Sequence, residues 1–279
     1  MPGIIRPIRE KPYKAKELRV LMYHSVSSNG RVDSLTVGAD TLEEQFQYLC
    51  DEGYTSILLS DLVAFSREGK PLPKNPVLIT FDDGYKDNYE LAYSLAQQYS
   101  MKINLFLVPA FIWKGNYRDR PCLQPEDIAK MDPALVEIGL HSYDHQSYAD
   151  LLPWGIGIDI ERSKAAMEEW GIPYQPCLAY PYGAFPRRKG YDQDKLFEIM
   201  EEKGIQLAFR IGNRVNKLPL RKRFLVQRLD IRGDETMRAF RLHLRYGRKK
   251  TGFFFAFGIG VAAFLLVSLL FRCFHHSLI

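Results

Sequence analysis

Apolar residues in the first 230 positions fall into short blocks separated by amphipathic stretches. Leu18–Tyr23 (LRVLMY), Tyr54–Leu58, Val77–Phe81 (VLITF), Ile103–Val108 (INLFLV), Val136–Leu140, Leu178–Tyr180, Leu207–Phe209 and Leu225–Leu229 read as strands. Several are apolar at nearly every position, which suits strands covered on both faces. Between them, apolar residues recur every three to four positions, as on a helix with one buried face. In Thr41–Asp51, Leu42, Phe46 and Leu49 share a face, Asp40 or Thr41 stands where an N-cap belongs, and Gly53 where the helix should end. Ser60–Glu68, entered through Ser60, and Asn88–Tyr99, Pro125–Met131, Asp159–Trp170 and Asp194–Lys203 read as further helices. The alternation predicts an α/β chain with a parallel sheet and helices outside it. A closed or distorted (β/α) barrel fits better than an open nucleotide-binding sheet. No GxGxxG follows the first strand, and Gly155-Ile-Gly157 lacks the third glycine. Chemistry in such a barrel sits where strands end and loops begin.

The pattern changes near the C-terminus. Phe253–Phe271 (FFFAFGIGVAAFLLVSLLF) holds nineteen residues without a charge. At about 1.5 Å per residue, a helix of this length nearly crosses a hydrocarbon core of about 30 Å. A core helix would keep a polar face, and here Ser268 is the sole polar side chain. The pattern therefore predicts one transmembrane helix over 251–271 with a short tail, 272–279. Gly258 and Ala262 form a small-xxx-small pair that suits helix-mediated self-association. Arg245, Arg248, Lys249 and Lys250 precede the span, and Arg272 alone follows it closely. The positive-inside bias then keeps the body on the cytoplasmic side of a single-pass membrane protein. The N-terminal residues MPGIIRPIREKPYKAKELRV carry no apolar signal-peptide core. The expected organisation is an extension over 1–17, a catalytic body over 18–232, and a basic juxtamembrane segment over 233–250. Within that segment, Met237, Phe240, Leu244 and Tyr246 alternate with arginines, as in a helix lying on lipid head groups.

Charge sharpens this picture. The formal net charge is +5, yet residues 221–250 hold eleven Lys or Arg against three acids, while residues 1–220 hold 26 basic and 30 acidic groups. The body is mildly acidic, which argues against a nucleic-acid partner, and the basic block before the apolar run points to membrane lipids. Cys50, Cys122, Cys177 and Cys273 are far apart and form no CxxC pair. A disulfide framework or structural zinc site is not expected, and free thiols in a reducing compartment are.

Three short segments at predicted strand ends carry candidate chemistry. In Thr80-Phe81-Asp82-Asp83-Gly84-Tyr85, two carboxylates are adjacent. Neighbours on a strand point to opposite sides, so they should do different work, and their repulsion calls for a cation or a raised pKa. Alone, the pair also fits an exposed turn. In His141-Ser142-Tyr143-Asp144-His145, two of the chain's six histidines stand at i and i+4. That spacing brings imidazoles together on one helical turn, a metal-chelating arrangement, although the HExxH zinc-protease pattern fails at Ser142. An incidental pair at a surface helix start is the alternative. Pro181-Tyr182-Gly183 follows a short strand; such a turn either simply ends the strand or aims a backbone N–H into a cleft, where it can stabilise an oxyanion.

Taken together, TFDDGY (80–85), HSYDH (141–145) and PYG (181–183), in that order, resemble the polysaccharide deacetylase family, also called the NodB homology domain. The resemblance covers about residues 18–230. It implies a distorted (β/α) barrel of about seven strands. It implies a divalent metal on Asp83, His141 and His145, Zn²⁺ first, with Co²⁺, Ni²⁺ or Mn²⁺ as other candidates. It implies Asp82 as catalytic base, the Tyr182 N–H as oxyanion donor, and Pro181 and Tyr182 against substrate. Two family features are missing: the arginine before the Pro-aromatic-Gly turn, where Leu178-Ala179-Tyr180 stands, and a late Leu-x-x-His. The branch that resembles poly-N-acetylglucosamine deacetylases places a Tyr-His pair on the first strand, and Tyr23-His24 fits it, with His24 as general acid. Arg228 is a candidate to replace the missing arginine as partner of Asp82, and for the substrate side.

The expected function is metal-dependent removal of acetyl from an N-acetylated amino sugar, a hydrolase acting on non-peptide amide bonds. The predicted topology favours a lipid-linked, polyprenyl-phosphate N-acetylhexosamine at the cytoplasmic membrane face. An extracytoplasmic polysaccharide (poly-N-acetylglucosamine, chitin-like or peptidoglycan) is the alternative. An inactive sugar-binding or membrane assembly protein is the alternative of another class. Trp113, Tyr117 and Trp154 lie in loops after predicted strand or motif segments and are candidates either to stack on sugar or touch lipid, or to serve as plain core or surface aromatics.

Overall fold

The computed structural model describes residues 15–187 and 191–248. Seven parallel strands close on themselves in chain order: β1 (Glu17–Tyr23), β2 (Pro76–Asp83), β3 (Ile103–Leu107), β4 (Val136–Leu140), β5 (Cys177–Ala179), β6 (Leu207–Ile211) and β7 (Val226–Asp230). The ring closes where β7 returns to β1, Leu229 facing Leu21, while β1 also pairs with β2 from Arg19↔Val77 to Tyr23↔Phe81. The seam between β4 and β5 is thin, a single pair at Leu178↔Leu140. These are the blocks that the apolar pattern marks as strands, and the closed α/β barrel is the architecture expected of them.

Alternation along the strands sorts side chains into two cores. Leu18 and Val20 of β1, Leu78 of β2, Phe106 of β3, Cys177 and Ala179 of β5, Leu207 and Phe209 of β6 and Val226 of β7 pack together inside the barrel. Leu21, Ile79, Leu105, Ile138 and Leu178, on the other face, pack with the helices. Phe106 fills the interior only because β4 carries Gly139. A Cβ there would come within 2.5 Å of the Phe106 ring.

Helices follow the strands with boundaries that differ from the sequence reading. Helix α1 (Ala39–Asp51) is entered from Gly38 with no side-chain cap, so neither Asp40 nor Thr41 serves. In α2 (Leu59–Glu68) the cap comes from inside the helix, Asp61 accepting from the Leu58 N–H at 3.0 Å. Leu59 and Leu62 of α2 join the barrel interior, and its first amides donate to Asn104 and Glu137, which lie near the starts of β3 and β4. Helix α2 therefore plugs the end where the strands begin and leaves the opposite end open. The expected helix after β2 opens as a π turn (Asn88–Tyr93) before α3 (Ser94–Gln98). A six-residue helix, α4 (Pro109–Lys114), follows β3. Helix α5 (Pro153–Glu169) begins six residues before the expected start at Asp159. Helices α6 (Tyr191–Glu202) and α7 (Met237–Tyr246) complete the layer.

Helix α7 falls within the basic segment. It is capped by Thr236, buries Phe240 and Leu244 against the barrel unit, and receives Arg19 Nε on the Leu244 carbonyl at 3.1 Å. Its exposed face carries Arg238, Arg241 and Arg245 with Leu242 and Tyr246. Among the described residues no helix is long and apolar enough to cross a membrane. The predicted span 251–271 and Cys273 lie outside them. Cys50, Cys122 and Cys177 are free thiols.

One buried amide holds the plug to the wall. The short strand Thr55–Ile57 pairs with the start of β2 until β3 takes over that edge at Thr80↔Asn104. At this fork Asn104, fully buried, donates to the carbonyls of Ile57 and Ile79 and accepts from the Leu59 amide. Asn104→Leu removes three buried hydrogen bonds to the backbone and is expected to cost roughly 2–4 kcal/mol. Urea unfolding of the two proteins measures it, and an unchanged midpoint would refute the role.

Candidate metal centre and active site

The open end of the barrel gathers the candidate residues. On β2, alternation turns Leu78, Thr80 and Asp82 inward, so Asp82 enters the interior at 1% exposure. There it meets Arg228, which β7 turns inward from the far side of β1. Two parallel bonds of 2.7 Å join Arg228 Nη1 and Nη2 to Asp82 Oδ1 and Oδ2, and the Arg228 guanidinium lies over the Phe106 ring. Burial works to raise the Asp82 pKa. The Arg228 charge and its hydrogen bonds, with help from His141, outweigh it and hold the carboxyl down at about 2. Arg228 is fully buried and both its terminal nitrogens are taken. It positions Asp82 rather than meeting substrate, which corrects its expected substrate-side role.

Asp83 breaks the strand rule. Alternation would send its side chain outward, away from Asp82. Instead its backbone is left-handed at φ 73°, followed by Gly84 at φ 76°, and the carboxylate turns to the same mouth as Asp82. Gly84 is required there on two counts, its φ and a Cβ that would sit 2.9 Å from Leu107. Burial and the charge of Asp82 push Asp83 up to about 7, against the opposing charge of Arg118 and a hydrogen bond from Tyr85.

The two histidines also converge by a route other than the expected helical turn. Residues 141–146 form a loop, with left-handed φ at Ser142 (66°) and His145 (64°). His141 Nδ1 is 2.8 Å from the Ala179 carbonyl, which fixes the proton there and leaves Nε2 as a lone pair. That Nε2 lies 3.6 Å from Asp83 Oδ1 and 3.7 Å from Asp82 Oδ2, and His145 Nε2 lies 3.3 Å from Asp83 Oδ1. His145 is ringed by aromatics: Tyr182 edge-on at 4.5 Å, Phe111 at 5.8 Å and Tyr117 at 6.0 Å. Burial lowers His141 to about 4 and His145 to about 3, so both imidazoles are neutral donors at neutral pH.

Asp83, His141 and His145 thus offer three ligand atoms within 4.8 Å of one another. Asp83 Oδ1 and His145 Nδ1 are buried without a hydrogen-bond partner. An unpaired buried carboxylate oxygen between two neutral imidazoles fits a divalent cation, which would satisfy all three donors at once.

Of the remaining expected residues, Tyr182 and Tyr117 lie against His145 at the same mouth. Tyr182 is left-handed (φ 58°) and 60% exposed, and Gly183 after it (φ 62°) packs so close to Ile211 that a Cβ would meet it at 2.7 Å. Pro181 is buried beneath the turn. His24 follows β1, close enough to Asp82 for that charge to oppose the burial that lowers its pKa. Trp113 and Trp154 are exposed at 77% and 67%, whereas Tyr117 belongs to the aromatic wall around His145, stacked on Phe111 at 3.7 Å. The sequence reading missed Asn88, which donates to the His24 carbonyl at 2.8 Å from inside the π turn, and Arg118, whose charge bears on Asp83, His24 and His145. A π turn is a known mark of functional sites, but no sequence signal announces it.

Calorimetric titration of Zn²⁺ into metal-free protein is expected to give one site per chain. Asp83→Ala should weaken it by at least about 100-fold, since it removes the single charged ligand. Full affinity in that variant would refute the ligand set.

The polysaccharide deacetylase family model matches residues 69–215. YxkH of Bacillus subtilis (strain 168), named as a polysaccharide deacetylase, is 31% identical over 199 residues, which cover 71% of this chain and 65% of that protein. The poly-beta-1,6-N-acetyl-D-glucosamine N-deacetylase of Staphylococcus aureus (strain MRSA252) is 22% identical over 227 residues, covering 74% of this chain and 76% of the relative. Two solved structures share the fold. The Streptococcus pyogenes deacetylase PplD superposes with a TM-score of 0.69 at 18% identity, over 84% of this chain and 99% of that one. IcaB from Ammonifex degensii does so with 0.67 at 22% identity, over 83% and 97%. The barrel, the motif order and the matched family model agree, and the chain belongs to the polysaccharide deacetylase family, hydrolases of the amide bond in N-acetylated sugars.

Proposed function

We propose that this protein is a metal-dependent N-deacetylase acting on a polymer of N-acetylated hexosamine, of the β-1,6-linked N-acetylglucosamine type. The observation that carries the reading is the pairing, in one mouth, of a three-ligand metal cluster with a separate carboxylate locked in its ionised form. When bound to Asp83, His141 and His145, a divalent ion supplies Lewis-acid chemistry and lowers the pKa of water. Zn²⁺ suits the two imidazoles and one carboxylate best. Asp82, ionised through Arg228, accepts the proton of the attacking water. The Tyr182 N–H is the donor for the developing oxyanion. His24, beside Asp82, passes on to the leaving amine the proton that Asp82 took from water as the C–N bond breaks, giving acetate and the free amino sugar. The names of the Staphylococcus aureus and Bacillus subtilis relatives support a polysaccharide over a lipid-linked sugar.

A second, narrower reading concerns location. The uncharged run Phe253–Phe271 and the basic residues before it support tethering to a membrane. In the orientation set by the charge bias, the barrel faces the cytoplasm and a polyprenyl-phosphate N-acetylhexosamine becomes the accessible substrate. An alkaline phosphatase fused after Ile279 should then be active in intact bacterial cells, because it would be exported. A silent fusion with an active N-terminal one would invert the topology and remove the case for the lipid-linked substrate.

The deciding experiment is mass spectrometry of a β-1,6-N-acetylglucosamine oligomer and a polyprenyl-phosphate N-acetylglucosamine, each incubated with the protein and Zn²⁺ or with chelator. Metal-dependent loss of acetyl from the oligomer is expected. Loss from the lipid-linked sugar alone would overturn the polymer reading, and no loss from either would overturn the activity. The Arg228 bond makes a separate prediction. A depressed pKa keeps Asp82 ionised down to about pH 2, so the basic form is present across the working range. Arg228→Lys keeps the charge but loses the two-pronged bond, so the Asp82 pKa rises and the acid limb of kcat moves to higher pH. An accompanying fall in kcat of at least about tenfold is expected. An unmoved limb together with an unchanged kcat would refute this role of Arg228.

A further inference from the structure

The loop bearing both histidines is held in shape by a carboxylate that neither the metal cluster nor the acid–base pair uses. Asp159, 6% exposed, lies in the second turn of α5. Its Oδ1 accepts from the Ser142 hydroxyl at 2.9 Å and from the Tyr143 N–H at 3.0 Å, and its Oδ2 accepts from the buried Tyr148 hydroxyl at 2.6 Å. Ser142 in turn accepts from the Gln146 N–H at 3.1 Å. These bonds bracket His145: one fixes the residue after His141, one the next amide, and one the residue after His145. They act where the backbone is least stable by itself, because Ser142 and His145 both hold left-handed angles that an L-residue with a side chain adopts at a cost. A single oxygen, Oδ1, carries both direct bonds to the loop.

Resting on the metal-dependent reading above, we propose that Asp159 is the positioning residue of the metal centre, setting the separation of His141 and His145 by clamping the Ser142–Tyr143 peptide in its left-handed turn. The mechanism is geometric and not electrostatic. An oxygen acceptor at Oδ1 is what the loop needs, and the negative charge of Asp159 is incidental. Without the clamp the loop relaxes toward right-handed angles, the imidazoles separate, and the ion loses its preorganised site while the barrel stays intact.

Asp159→Asn and Asp159→Ala separate the two roles. Asparagine keeps an oxygen where both loop donors meet, and its amide donates to the Tyr148 oxygen. Alanine removes the acceptor. Metal-free forms of the full chain are titrated with Zn²⁺ by calorimetry, and thermal melts of the same metal-free samples report folding. The expected result is a loss of affinity of about 10–100-fold in Asp159→Ala, in the range seen when groups supporting metal ligands are removed, and near-native affinity in Asp159→Asn. Equal loss in both variants would show that the charge matters and overturn the clamp. Native affinity in both, whatever the melts show, would make Asp159 a purely structural residue and also overturn it. If Asp159→Ala does not fold, Ser142→Ala, which removes one of the two loop bonds, replaces it and should lose affinity in the same direction. Absence of binding by the wild-type protein would instead strike the metal reading itself.

Discussion

A guanidinium and a carboxylate meet inside the barrel with almost no access to water, and much of the site follows from that contact. Taking either charge into the interior alone would be prohibitive, so Asp82 and Arg228 stand or fall together. Their two-pronged bond ties β2 to β7 across β1, which helps set the spacing of the mouth. It also fixes the charge state of Asp82. With Asp82 held ionised, its neighbour Asp83 cannot shed its proton cheaply without a counter-ion, and its pKa stands near 7. The repulsion between adjacent carboxylates is thereby resolved asymmetrically: one partner receives a permanent protein cation, and the other is left with an unsatisfied oxygen beside two neutral imidazoles.

The second constraint is backbone strain. Asp83, Ser142, His145 and Tyr182 all carry side chains at left-handed angles; Asp83, His145 and Tyr182 meet at the mouth, while Ser142 ties the histidine loop to Asp159. A regular strand or helix would have sent some of them elsewhere. Each such residue costs free energy that the rest of the fold must supply, through Gly84 and Gly183 in close contacts and through Asp159 on the histidine loop. The plug made by α2 and Asn104 at the far end provides the rigid base against which these loops can be held.

Much of this was legible in the sequence because it depends on local periodicity. The apolar blocks marked all seven barrel strands, since a strand covered on both faces must be apolar along its length. The TFDDGY and HSYDH segments fell at strand ends, and the family resemblance they carry pointed to the Asp83, His141 and His145 cluster that the structure brings together. Helix starts were less legible. Asp159 has the composition of an N-cap, yet it sits inside α5, because its carboxylate is satisfied by a loop thirteen to eighteen residues earlier. The pairing of histidines four apart suggested a helical turn, and the structure brings them together through a strained loop instead.

The chain alone thus determined the order of strands and helices and the closed α/β class, since both are written in residue type and spacing, while the candidate ligands Asp83, His141 and His145 came from the family resemblance that its motifs carry. Tertiary structure decided which way the groups point. Asp82 and Asp83 share one mouth because a single left-handed residue overrides strand alternation. Arg228 reaches Asp82, 146 residues away in sequence, because barrel closure brings β7 next to β1. Such contacts are set by the packing of the whole barrel, and local patterns of hydrophobicity carry no record of them.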